Sequence, residues 1–132
     1  MIELVNLIKT LTHDNYVFID LLTEGIQIID DEDNELIDNL NKRIRSEIIT
    51  RESNYSAFKE AMKKYNFTKV DEIPCPNEIS SEDFSLIIKD FQKSVETGAE
   101  KMQEYYKAFS IEYNMINKIK SLGRKNKIDI KF

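Results

Sequence analysis

Tryptophan is absent from this 132-residue chain, cysteine and histidine occur once each, proline twice and glycine three times. These scarcities exclude several architectures and chemistries. A β-sandwich or barrel needs a turn roughly every 8–12 residues, and so few glycines and prolines cannot punctuate one. Glycine-rich phosphate loops and dinucleotide-binding turns lack their raw material. Cys75 has no second cysteine to pair with, and nothing in the cysteine usage points to an oxidising compartment. Any Ser-His-Asp or Cys-His arrangement would depend on His13, which falls outside the apolar pattern and is expected to face solvent. Metal sites built on Cys and His lack ligands, and the Glu-x-x-His motifs of di-iron bundles do not occur. No apolar run approaches the roughly 18 residues of a membrane span. The opening Met1-Ile2-Glu3-Leu4 offers neither the basic region nor the apolar core of a secretory signal. A cytosolic protein that is not an enzyme, with no cofactor and no metal, is the expectation.

What is present points to long helices. Charged residues make up 33% of the chain, above the ~25% of average globular domains, beside 41% apolar residues. The net charge of −5 has the wrong sign for a nucleic-acid footprint over the whole protein. That number averages two unlike ends: residues 1–38 hold ten acids against Lys9, and residues 117–132 hold six bases against Asp129. The basic end either complements a helix C-terminus and the acidic hairpin beside it, or steers an acidic partner or membrane surface toward the third helix.

Three amphipathic blocks carry the fold expectation. Leu4, Ile8, Leu11, Asn15, Phe18, Leu22, Gly25 and Ile29 keep an unbroken four–three spacing, the seam of a coiled coil. Asn15 is the polar residue on that seam and is read as specifying register. The acidic run Asp30 to Glu35 is read as the connection to a second helix, with Asp30 or Asp31 capping it. As a calcium loop it fails, since Leu36 and Lys42 would occupy the glycine and bidentate-glutamate positions. The second seam runs Ile37, Leu40, Ile44, Ile48, Arg51, Tyr55, Phe58, Met62, Tyr65, and Arg51 is expected to face Asn15 or an acid of another helix.

Pro74 and Pro76 flank Cys75 and forbid helix there, so residues 66–80 are read as a long loop, pinned to the bundle by Phe67, Val70 and Ile73. Ser80 and Asp83 form an N-cap pair. A third seam follows: Phe84, Ile88, Phe91, Val95, Gly98, Met102, Tyr105, Phe109, then Tyr113, Ile116 and Ile119. Gly98-Ala99 is read as a low-volume point where another helix could approach closely, with a merely tolerated glycine as the alternative, and Gly123 as a left-handed cap ending the helix. The expected architecture is all-α: an elongated antiparallel three-helix bundle or coiled coil, one helical domain over 1–132. Its helices are placed at about 2–29, 34–65 and 81–122, with a basic tail at 123–132 in which residues 128–132 form a frayed end or short strand.

Aromatic residues gather near the end of the third block, where Tyr105, Tyr106, Phe109 and Tyr113 lie within nine residues. Tyr106 falls off the seam, so the stretch is apolar on more than one face. Tyrosine suits surfaces buried only in a complex.

The leucine-rich first seam, the acidic turn Ile28-Ile29-Asp30-Asp31-Glu32-Asp33-Asn34-Glu35-Leu36 and the charged helix closing on Glu60-Ala61-Met62-Lys63-Lys64-Tyr65-Asn66-Phe67 together resemble the FlgN-type flagellar export chaperones. The resemblance covers most of the chain and is one of pattern, without an invariant motif. It implies a cytoplasmic chaperone that binds the C-terminal helices of hook–filament junction subunits, prevents their premature assembly and delivers them to the export gate. The family's cargo-binding final helix maps onto Tyr105, Tyr106, Phe109, Tyr113, Ile116 and Ile119, with Tyr113 nearest to a gate-docking tyrosine. The long proline loop and the Ile128–Phe132 tail depart from the family's pattern. The alternative is a coiled-coil structural or adaptor protein that self-associates through the same seams.

Overall fold

The first helix, α1 (Ile2–Ile28), is covered on two sides, and its apolar stripe is correspondingly wide. Leu4, Val5, Ile8, Leu11 and Leu22 are at most 1% exposed, and Phe18, Ile19 and Leu21 are also buried. Fully burying such a side chain contributes about 1.5–3 kcal/mol, so α1 supplies much of the core. The computed structural model describes residues 1–29 and 34–125, with side chains as far as residue 110. The expected cap at Asp30 or Asp31 and the tail at 128–132 lie outside the described residues.

The second helix, α2 (Asn34–Lys64), runs antiparallel to α1. Arg43 meets Glu24 at 3.2 Å near one end and Lys64 meets Glu3 at 3.9 Å near the other. Both pairs are exposed and set direction more than stability. Asn66 closes the helix in the left-handed region at φ 60°. The Asn66 amide donates to Lys63 O at 3.0 Å and the Phe67 amide to Met62 O at 3.0 Å, the two bonds of a Schellman cap. Asparagine tolerates that backbone better than a branched residue would.

A short 3₁₀ turn at Val70–Glu72 interrupts the connection that follows. Ile73 is 4% exposed, and Phe67 and Val70 pack half-buried against the same core cluster, so all three expected pins hold the connection down. Thr68 donates its hydroxyl to Glu72 at 2.6 Å and its amide at 3.3 Å, which holds the Glu72 carboxyl below its usual range.

The third helix, α3 (Ser81–Lys125), starts at the expected cap, where the Asp83 amide donates to Ser80 Oγ at 3.1 Å. It runs in the same sense as α1: Asn15 touches Ser94, 79 residues on, and Ile19 lies beside Gly98. By that offset Ile28 is level with about residue 107, while α3 continues to Lys125, leaving roughly 27 Å of helix beyond the last turn of α1. Gly123 does not end the helix. The backbone stays helical through it to Lys125 and no glycine has a positive φ, which corrects the expected cap and extends the helix beyond 122.

The architecture is thus all-α, an up-down-up arrangement of three helices with no strand among the described residues. Its organising feature is the centrality of α1. Both α2 and α3 pack along α1, and they scarcely meet each other. The core divides into two apolar clusters. Leu4, Ile8, Leu11, Phe58, Met62, Ile73 and Phe91 form one near the loop end. Phe18, Leu21, Leu22, Leu40 and Ile44 form the other, with Met102 and Tyr105 packed on it. Buried Thr12, Asp14, Asn15 and Ser94 make a polar layer between the two.

Candidate partner-binding cleft

The polar layer is built by hydrogen bonds that cross all three helices. Asn15 Nδ2 donates to Ser94 Oγ at 3.0 Å, and Arg51 Nη2 donates to Asn15 Oδ1 at 3.0 Å. Ser94 in turn donates to the Phe91 carbonyl at 2.6 Å. The Arg51 guanidinium also lies 4.4 Å over the Phe18 ring, a cation–π contact that limits its freedom. On the adjoining face Asn54 Nδ2 donates to the buried Asp14 carboxylate at 2.6 Å. Arg51 therefore meets Asn15, one of the two partners expected for it from its own seam position.

Glu47, one turn before Arg51, is placed less comfortably. Its Oε1 is buried without a hydrogen-bond partner. Desolvation first, then the nearby Asp14 charge, raises its carboxyl above the usual range, while Arg51 and His13 pull it the other way.

Above the polar layer the flanking helices stand apart and leave a cleft of about 250 Å³. Asn15, Arg51 and Ser94 lie at its polar side. Phe18, Tyr55, Val95 and Met102 form its apolar walls, and Gly98 and Ala99 widen it by having little side chain. Tyr55 and Val95 are 39% and 44% exposed although both occupy seam positions. Among the described residues no helix covers these two side chains. A wider trough of about 680 Å³ between α1 and α2 is open to solvent, and its lining includes the weakly paired Glu3 and Lys64. It presents no comparable combination of apolar wall and oriented cation.

From the cleft an apolar line continues along α3. Val95, Ala99, Met102, Tyr106 and Phe109 follow one another at four–three spacing, over about 21 Å of helix. Tyr106 is 64% exposed and Phe109 37%. This line is rotated from the seam that packs on α1, and it is the one that reaches solvent. Sequence reasoning placed Val95, Met102 and Phe109 on the buried seam; the signal for a second line was the off-seam position of Tyr106 together with Ala99.

The six residues expected to bind a partner divide accordingly. Tyr105 packs half-buried against the upper core, over Gly25 and beside Leu40. Burial raises its phenol pKa, with Tyr106 adding to the shift. Phe109 stacks obliquely on Tyr105 at 4.5 Å between ring centroids, and Tyr106 stands outward. Tyr113, Ile116 and Ile119 belong to the helical run of α3, and their side chains lie outside the described residues.

Other chemistries find less support in the geometry. Among the described residues no group of His, Cys, Asp and Glu is gathered as a metal site, and no helix is long and apolar enough to cross a membrane. Cys75 is exposed in the loop, its thiol directed to the carbonyls of Pro76 and Ile79 at 3.5 and 3.4 Å. Compared with family models, curated proteins and solved structures, the chain matches none.

Proposed function

We propose that this protein is a helix-binding chaperone, which takes an amphipathic helical segment of another protein onto α3 and into the adjoining cleft. The observation that carries this reading is the apolar line Val95–Ala99–Met102–Tyr106–Phe109, which keeps coiled-coil spacing and, apart from the half-buried Met102, stands exposed with no helix in front of it among the described residues. A partner helix of about fourteen residues laid along it would complete a bundle that is open at this level, the helix-in-groove mode of recognition. Tyr106 and Phe109 are the anchors, since large aromatic groups dominate interface energetics.

The resemblance of the sequence to FlgN-type export chaperones supplies the partner: the C-terminal helices of hook–filament junction subunits. Covering those helices would keep the subunits from assembling before export. The function is one of shielding, and it calls on no catalytic group.

The test is titration of the full chain with the C-terminal segment of a junction subunit, followed by fluorescence anisotropy and by size-exclusion with light scattering. A heavier complex should form only when the segment is present. Tyr106→Glu combined with Phe109→Glu should weaken binding roughly tenfold or more, with helical content unchanged because both side chains are exposed. Unchanged affinity in that variant overturns the reading. Concentration-dependent self-association without the segment supports the adaptor alternative instead.

A further inference from the structure

The cleft holds a cation that makes no ion pair among the described residues. Arg51 spends one of its five N–H donors on Asn15, rests its face on Phe18, and reaches no carboxylate at ion-pair distance among the described residues. Glu47 is near enough to feel the charge but pairs with nothing through Oε1. The nearby buried acid, Asp14, is already engaged by Asn54. Around the guanidinium the cleft is lined by Phe18, Tyr55, Val95 and Met102.

We propose that Arg51 reads a carboxylate on the docked helix, so that the preferred occupant of the cleft is an amphipathic helix with one Asp or Glu set within its apolar stripe. This rests on the reading of the cleft as a helix-binding surface and names what that surface selects. The argument is one of charge and preorganisation. An isolated carboxylate on an apolar stripe is costly to bury unless it meets a donor. Arg51 presents such a donor already oriented, one N–H tied to Asn15 and its face held by a ring, so little side-chain freedom is lost when the acid arrives. A stripe with no acid would leave the guanidinium covered and unmatched, and a stripe with Lys would place like charges together. The chain as a whole is acidic, with a net charge of −5, so its overall field does not draw acids in. Selectivity for the acid is local to Arg51.

Synthetic amphipathic helices of roughly three heptads test this, with leucine at every apolar position except one near an end, which carries Glu, Gln or Lys, in two sets with that position at either end to allow for both docking orientations. Anisotropy titrations against the full chain should show, in one of the sets, the Glu helix binding about tenfold or more tighter than the Gln or Lys helix. Arg51→Gln should erase that preference, and Arg51→Glu should reverse it in favour of Lys. The reversal cannot come from a misfolded protein, and circular dichroism confirms helical content in each variant. If the three helices bind the unaltered chain equally in both sets, or the preference survives Arg51→Gln, the inference falls while helix binding stands. If none binds, the proposed function falls with it. Dimerisation of the chain that Arg51→Glu abolishes would also overturn the inference, by making a second copy the occupant.

Discussion

Gly25 on α1 lies directly beneath the ring of Tyr105 on α3: a Cβ at position 25 would stand 2.9 Å from Tyr105 Cε2 and 3.2 Å from Leu40 Cδ2. Leu40 of α2 and Tyr105 of α3 both close on α1 here, so the glycine answers to packing. Gly25→Ala gains about 1 kcal/mol of helix propensity but must displace the tyrosine, at a cost of about 1–3 kcal/mol. Net destabilisation of about 1 kcal/mol is expected in urea unfolding. In a Tyr105→Ala background only the Leu40 contact at 3.2 Å remains, and the same substitution should lose most of its cost.

Gly98 is the contrasting case. A Cβ there would meet only Ile19, at 3.9 and 4.0 Å, which is ordinary contact. Close approach of helices does not require this glycine, contrary to the reading of Gly98-Ala99 from sequence. Gly98→Ala should therefore stabilise the protein by about 0.5–1 kcal/mol, seen as a higher Tm.

The polar layer predicts a coupled pair. Asn15→Leu removes the acceptor of Arg51 and the donor to Ser94. Arg51 is only part-buried and can turn toward water, so the loss should sit near the low end of the range for such bonds, about 1 kcal/mol. Adding Arg51→Leu should recover part of that loss, since a polar network replaced whole is often better tolerated than one broken in half. A double-mutant cycle measures the coupling, and strict additivity would contradict the network.

Glu47 makes stability depend on pH in a definite direction. Its carboxyl is raised in the folded protein, mainly by desolvation, so the native state holds this proton more tightly than the unfolded chain does. The resulting penalty is complete above the folded pKa. It fades as pH falls toward the unfolded glutamate value, and below that value it is absent. Glu47→Gln should accordingly be more stable than the unaltered protein at pH 7, by a small margin because solvent screens a carboxyl this exposed. The two denaturation curves should converge by about pH 4.

The helical architecture was legible in the spacing of apolar residues, and the clearest seam was also the truest. Every first-seam residue from Leu4 to Gly25 is buried, because α1 is flanked on both sides and a stripe facing two neighbours leaves little to chance. The second seam reads well at Leu40, Ile44, Phe58 and Met62 and fails between them, where Ile48 and Tyr55 stay exposed. Periodicity identifies the face a helix would bury, but not whether another helix reaches that face at a given height. The third seam errs in phase for a related reason. Ser94 is wholly buried while Val95 is 44% exposed, since the hydroxyl has Asn15 to bond and the valine lines the open cleft. A hydrogen bond between residues 79 apart leaves no trace in either segment's pattern. The candidate site suffered likewise: the aromatic cluster marked the right helix, yet only packing tells the inward Tyr105 from the outward Tyr106.

Because α2 and α3 both pack along α1 and scarcely meet each other, the molecule is laid out like an open book, with its best-packed element as the spine and α2 and α3 as its covers. At the loop end the Phe58 and Phe91 rings, 6.4 Å apart, and the buried Ile73 keep the covers together. Toward the other end Leu40 of α2 and Tyr105 of α3 both close over Gly25, so the cleft lies between two closed levels. A guest anchored on the exposed Tyr106 and Phe109 would meet Arg51 only at the Val95 end of its path, so that anchoring and discrimination occur at different depths.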